Sequence, residues 1–316
     1  MTKLDESSII KIFQRKLGKK HFVSEDVEIF SLGKTKIAAK TDTVVESTDI
    51  PPKMKLIDAA RKSIIACVSD FAAKGIKPQY GIVSVNISKS TSNAKIVEIA
   101  DGFKKACIEY DISILGGDTN EGKEIVLNVC IFGKTDKIVR RKEAKKGDLI
   151  FVTGPFGYTS AGLNMILSNE KIENTFTRKL IKAFLKPKPK LSFGLKNKKY
   201  FSSSMDSSDG LSATLNELSK QSEKKFIINK IPVKKDLELF ARSRKINLND
   251  LVFHGGEEYE FVFTTSLKNR EIINKSAKLL RTPIIEIGFV TSGKGVFLYE
   301  NNNYVKLKDL GWKHFR

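Results

Sequence analysis

The sequence predicts two mixed α/β halves, on three observations. The chain is 316 residues long, which at roughly 150 residues per domain makes two domains. Segments with helical apolar spacing alternate with short strand-like runs along most of its length. A basic, turn-prone stretch, RRKEAKKGD at 140–148, interrupts that alternation near the middle. The boundary is therefore placed between an N-terminal domain, 1–140, and a C-terminal α/β domain, 141–316.

Residues 5–17 carry Ile9, Ile10, Ile12, Phe13 and Leu17 at helical spacing and stop at Gly18. KIAAKTDTVV at 36–45 reads as a strand. Residues 56–74 form a helix ended by Gly75. YGIVSVNIS at 80–88 alternates as a strand does. A helix at 92–110 leads to a short strand, 112–115, running into Gly116-Gly117-Asp118, and another strand covers 124–132. Past the boundary come strand 149–153, a Gly-Pro-Phe-Gly turn and a helix from about 158. Helices at 209–222, 234–245 and 266–280 follow, with strands at 226–231, 259–265, 284–290 and 295–299.

Hydrophobic residues make up 41% of the chain, enough for real cores and too much for wholesale disorder. No apolar run approaches the roughly 20 residues that span a bilayer, and the acidic, amphipathic N-terminus does not read as a secretory signal. Cys67, Cys107 and Cys130 are odd in number and far apart. They argue against a disulfide framework and for a reducing, cytoplasmic setting. Lys+Arg number 56 against 36 Asp+Glu, a net charge of +20. That excess permits a polyanionic partner without naming one. The lysines form small clusters, such as Lys186 to Lys190, that read equally as solvated surface.

Six aspartates stand out: Asp26, Asp42, Asp70, Asp118, Asp206 and Asp209. Each lies within two residues of Ser, Thr or Gly, and most sit at the edge of an apolar strand or helix. Hard cations such as Mg²⁺ take oxygen ligands, usually one or two carboxylates with waters and substrate phosphates. Asp70 falls late in its helix, where the macrodipole disfavours an anion, and three and four residues from Cys67 and Ala66. A carboxylate there needs a compensating cation. Asp42, inside an apolar strand, also needs a partner, because an unpaired buried charge is costly. Ser208-Asp209-Gly210 reads equally as the cap of the following helix. The glycines before Asp118 would let backbone N–H groups face a phosphate. Gly288 to Lys294 imitates a phosphate-binding P-loop, but the next residue is Gly295, and VFLYE after it reads as a strand where a P-loop opens a helix. The three histidines are too scattered for a zinc site or a catalytic triad.

In order, TDTVVE, VSDFAAKG, LGGDTN, KKGDLIFVTGPFGYTSAGL, KPKPK, MDSSDGL and HGGEEYEFVFT resemble the thiamine-monophosphate kinase family, part of the aminoimidazole ribonucleotide synthetase-like superfamily. The resemblance covers about residue 20 to the C-terminus. It implies that superfamily's two-domain fold, with N-terminal domain strands pairing across a homodimer. It implies transfer of phosphate from ATP to thiamine monophosphate with several Mg²⁺ ions. Carried onto this chain, the metal ligands would be Asp26, Thr41, Asp42, Asp70, Asp118, Asp206 and Asp209. Nucleotide contacts would come from Tyr110, Gly117, Asp118, Arg141 and Ser208, and thiamine contacts from Glu257 and Trp312. Asp118 and Arg141 would be catalytic. The chain departs from the family pattern at Ser24-Glu25-Asp26-Val27-Glu28, where only Asp26 keeps its type, and at Asp49, where the family often has His.

Two anionic substrates need positioning and charge neutralisation more than a strong base, which suits a chain without an evident catalytic His. The expected chemistry is direct in-line transfer, with Arg141 adding charge on transferring oxygens, Trp312 stacking on the thiazolium and Glu257 offsetting its charge. The alternatives are another ATP-using member of the superfamily and a non-catalytic basic nucleic-acid-binding protein. The second would need a Lys/Arg stripe interleaved with exposed aromatics, whereas most Phe here fall in apolar patterns.

Overall fold

The computed structural model describes residues 5–18, 23–168, 172 and 174–315. The first part of the chain forms α1 (Glu6–Lys16), β1 (Glu28–Leu32), β2 (Thr35–Val45), α2 (Glu46–Asp49), α3 (Leu56–Lys74), β3 (Tyr80–Ile87), α4 (Asn93–Tyr110), β4 (Ser113–Glu121) and β5 (Val126–Lys134). Its five strands make one sheet in the order β1-β2-β5-β3-β4. All neighbours are antiparallel except β3 and β4, which α4 joins as a parallel crossover. Period-two alternation in β5 buries Leu127, Val129 and Ile131 and leaves Asn128, Cys130 and Phe132 on the other face. The buried set packs against Ile64, Cys67, Val68 and Phe71 of α3 and Ala106 of α4. The opposite face shows Tyr80, Ile82 and Leu115 exposed.

The rest forms β6 (Asp148–Val152), α5 (Tyr158–Leu167), α6 (Thr175–Leu185), α7 (Leu191–Asn197), β7 (Ser203–Ser207), α8 (Leu211–Ser222), β8 (Lys225–Ile228), α9 (Lys235–Ser243), β9 (Glu260–Ser266), α10 (Arg270–Leu279), β10 (Ile285–Thr291), β11 (Gly295–Glu300) and β12 (Asn303–Lys306). Its seven strands run β12-β11-β8-β10-β6-β9-β7. One face of this sheet packs Ile150, Val152, Phe226 and Val262 against Leu211, Leu215 and Leu218 of α8. The other carries Phe151, Phe261 and Phe263, which cluster with Phe193 and Phe201. Phe151 stacks on Phe263 with ring centroids 5.3 Å apart, a pairing worth about 0.5–1.5 kcal/mol beyond its buried area.

α3 lies between the two sheets. One side meets β2 and β5, and another meets β7 and β9. Nearly all of its 19 residues are buried, including Asp58, Arg61, Lys62, Asp70 and Lys74. It ends at Gly75, whose φ of 63° lies in the left-handed region that glycine adopts without a steric cost. Among the described residues, no helix is long and apolar enough to cross a membrane.

Three differences from the sequence expectations matter. The strand expected at 112–115 continues to Glu121, so Gly116-Gly117-Asp118 lies inside β4 and not in a turn after it. Close pairing explains the glycine: a Cβ on Gly117 would stand 1.7 Å from the Val83 carbonyl oxygen. The helix expected at 266–280 begins only at Arg270, after a 3₁₀ turn at Leu267–Asn269. β1, α2, α6, α7, β7 and β12 were not foreseen. In β7 the sequence SSMDS offers no apolar alternation, yet Ser203, Ser204 and Ser207 are fully buried.

Candidate active site

Three aspartates expected as metal ligands converge where the two sheets meet across α3. Asp26 precedes β1, Asp70 lies on α3 and Asp206 on β7, and all three are buried. One carboxylate oxygen from each falls within 4.8 Å of the others. The elements are far apart in sequence. α3, pressed between the sheets, carries Asp70 to both.

The cluster brings its own cations. Lys40 of β2 places Nζ 3.0 Å from Asp70 Oδ2. The Arg141 guanidinium is turned onto Asp26, donating from Nε at 2.8 Å and also from a terminal nitrogen, and its other arm reaches Ser24 Oγ at 3.2 Å. Lys74 of α3 has Nζ 2.8 Å from Glu25 Oε2 and 3.1 Å from Asp26 Oδ2. These pairings set the protonation behaviour. Burial acts against ionisation of Asp26, but Arg141 and Lys74 outweigh it and hold that carboxyl below its ordinary value. Asp70 is pushed well up by burial, against the pull of Lys40 and with Asp206, Asp26 and Asp42 adding repulsion. Burial, with Asp26 nearby, pushes Asp206 up to about 7. Carboxyls crowded in this way favour an added cation. Asp26 Oδ2 is buried without a well-aligned hydrogen bond, with the Lys74 ammonium 3.1 Å away as its cation. Hard oxygen donors at this spacing fit a divalent ion.

Other expected residues stand around this cluster. Asp42 is half-buried on β2, accepts the Thr43 N–H at 2.8 Å and is pushed up chiefly by burial. Thr41, between Lys40 and Asp42 on β2, points instead to the opposite face of the sheet, away from the cluster, where it is exposed and donates to the Val129 carbonyl at 3.1 Å. Asp209 is exposed in the turn before α8. It does not cap that helix, whose N-cap is Gly210 without a side-chain bond. The Asp209 carbonyl instead accepts the Trp312 N–H at 2.8 Å, which brings the exposed Trp312 beside the site. The approach needs glycine next to it: a Cβ on Gly311 would meet the Asp209 carbonyl oxygen at 2.4 Å.

The segment 255–259 runs alongside, with Glu257 N–H donating to the half-buried Ser208 through its carbonyl at 2.5 Å and Tyr259 N–H to the Ser207 carbonyl at 3.3 Å. Glu257 and Tyr259 have φ of 64° and 50°, strain that non-glycine residues keep where the surroundings fix it, often at functional sites. The Glu257 carboxylate is 2.5 Å from Lys62 Nζ, itself 3.9 Å from the centre of the Phe184 ring. Asp49 accepts the Val45 N–H at 2.7 Å, so its carboxylate is engaged by its own backbone turn. Tyr110 ends α4 and lines a separate cleft of about 510 Å³ with Lys77, Lys188, Lys190 and Arg281. Gly117 and Asp118 are exposed on the edge strand β4. Three strand spacings separate β2 from β4, about 14 Å, so one chain does not bring Asp118 to Asp42.

Sequence reasoning missed Glu25, Lys40, Lys62, Lys74 and Tyr259. One signal for Lys74 was readable: four residues after Asp70, it lies on the same helical face.

Comparison with known proteins locates the arrangement. The family model described as AIR synthase related protein, N-terminal domain, matches residues 24–135. A thiamine-monophosphate kinase of Nitrosopumilus maritimus is 65% identical over 100% of both chains. One of Pyrococcus horikoshii is 31% identical over 100% of this chain and 98% of its own. A solved structure described as AaThiL complexed with AMPPCP and TMP superposes with a TM-score of 0.88 at 28% identity, covering 99% of this chain and 98% of that one.

Proposed function

The chain belongs to the thiamine-monophosphate kinase family, and from that premise we propose that it transfers the γ-phosphoryl group of ATP to the phosphate of thiamine monophosphate, giving ADP and thiamine diphosphate. The observation that carries this reading is the buried Asp26–Asp70–Asp206 cluster at the meeting of the two sheets. Mg²⁺, when bound, neutralises and bridges phosphate oxygens. Asp70, Asp206 and Asp26 would hold it, with Asp42 and Asp209 at the rim.

The acceptor phosphate is ionised near neutral pH, so the chain's task is to position two anions for direct in-line transfer and to offset their charge. Lys40, about a quarter exposed (27%), can turn from Asp70 towards a phosphate. We assign Arg141 to fixing Asp26 and not to the transferring oxygens, since Asp26 and Ser24 already take its donors. Lys62 already offsets the Glu257 charge, so Glu257 serves a substrate as a hydrogen-bond acceptor more than as net negative charge. Trp312 offers an exposed ring for the thiazolium. Tyr110 and Ser208 remain candidate nucleotide contacts.

We also read the chain as a cytoplasmic homodimer, its N-terminal domain 1–140 binding nucleotide and metal and dimerising through the bare sheet face, with 141–316 completing the site. That pairing gives Gly117 and Asp118 a role one chain denies them, with Asp118 of the partner subunit reaching the phosphates. The test is incubation with ATP, Mg²⁺ and, in parallel, thiamine monophosphate, thiamine or other phosphate esters, followed by chromatography. Thiamine diphosphate from thiamine monophosphate alone supports the reading. ATP turnover with another acceptor and none with this one refutes it.

A further inference from the structure

Glu25, Asp26, Asp70 and Asp206 form an acidic group served by Lys40, Lys74, Arg141 and, more distantly, Arg140, of which Lys74 is the one fully enclosed. Its Nζ has Glu25 Oε2 at 2.8 Å, the Ser204 carbonyl oxygen at 2.8 Å and Asp26 Oδ2 at 3.1 Å. An ammonium has three donors, and three oxygens surround this one. Two carboxylates and a carbonyl are also the donor set a hard divalent cation uses, but at about 2.0–2.6 Å. The cage is spaced for nitrogen.

Charge divides the group into two ends. At one end Glu25 and Asp26 face the buried Lys74 and Arg141, with the exposed Arg140 4.0 Å from Glu25 on the outer side, so their charge is already met. At the other end Asp70 pairs with Lys40, which is partly open to solvent, and Asp206 feels Lys40 and Arg141 only from further off. An added cation gains at the second end and has nothing to neutralise at the first.

We propose that Lys74 is a built-in cation that takes the place of a divalent ion at the Glu25–Asp26 end and confines metal binding to the Asp70–Asp206 end. Lys74 is a positioning residue that acts through Asp26. Its ammonium holds Asp26 through Oδ2 while Arg141 holds the same carboxylate through Oδ1. The inference rests on the reading of the cluster as a metal site, and it adds that this chain supplies part of the site's positive charge itself.

The test counts ions without turnover. Mn²⁺ binding to the full chain is followed by electron paramagnetic resonance, without nucleotide, for wild type, Lys74→Met and the double variant Glu25→Gln/Lys74→Met. Melting temperature is recorded with and without Mn²⁺. Lys74→Met should bind one more Mn²⁺ per chain than wild type, lose that extra ion when Glu25 is also changed, and gain more thermal stability from Mn²⁺ than wild type does. A purely structural ion pair would leave the count and the Mn²⁺-dependent shift unchanged, and that result overturns the proposal. A Lys74→Met chain that fails to fold even with millimolar Mn²⁺ overturns it too, because a metal then does not replace the lysine. A wild type that makes no thiamine diphosphate would refute the kinase reading and leave this comparison of ion counts standing.

Discussion

Asp70→Asn separates what the cluster does for activity from what it does for stability. Asp70 sits at the centre of the charge arrangement, with Lys40 at 3.0 Å and oxygens of Asp26 and Asp206 within 4.8 Å. Losing one metal carboxylate should remove ~2–4 kcal/mol of transition-state stabilisation, about 30- to 1,000-fold in rate. Folding should respond the other way. Burial raises the folded-state pKa of Asp70 above its unfolded value, so at neutral pH and above the folded state is penalised for ionising it. Asparagine removes that penalty and the repulsion from Asp206 and Asp26. Lys40 loses a partner but is partly in water. The melting temperature in EDTA should therefore not fall below wild type, while thiamine diphosphate formation under saturating substrates drops about thirtyfold or more. Turnover within tenfold of wild type, or a variant that does not fold without metal, would refute the reasoning.

Glu258 is pushed up to about 8, chiefly by burial, against hydrogen bonds from Thr159 and the Gly157 N–H. An acid whose folded pKa exceeds its unfolded value of 4.5 lowers stability as pH rises between the two, so denaturant titrations of Glu258→Gln between pH 5 and 8 in EDTA should show a flatter decline than wild type. Trp312→Ala should raise KM for thiamine monophosphate about two- to fivefold, the worth of an exposed cation–π contact of about 0.5–1 kcal/mol, and leave kcat nearly unchanged; an unaltered KM counts against stacking. Ile82→Lys, on the bare face of the first sheet, should convert a dimer to monomers in light scattering and abolish turnover, while an active monomer would contradict the shared site.

Much of the fold was legible because its local signals agree with its packing. α3 shows why: its apolar spacing and the glycine at 75 mark both its extent and its stop. β7 was not legible, since its burial comes from pairing with β9 and from contacts such as Ser203 Oγ to Thr264 Oγ1 at 2.8 Å, neither of which leaves an apolar pattern. In the site, Asp70 stood out as an acid on an apolar face that needed a cation. Its partner Lys40 did not, because nothing local separates it from the other basic residues. Arg141 was read as facing substrate, and only the folded chain shows it turned onto Asp26. The Gly116-Gly117 pair pointed to a phosphate loop because sequence does not distinguish a glycine needed for a turn from one needed for close strand pairing.

The central claim is that this cradle of acids and lysines passes a phosphoryl group straight from ATP to thiamine monophosphate. Rapid-quench turnover with γ-phosphoryl-labelled ATP tests it most directly. The account predicts label in the terminal phosphate of thiamine diphosphate, one ADP per product formed, and no labelled protein at any time. Labelled protein appearing before product, or ADP formed without labelled thiamine diphosphate, would contradict it.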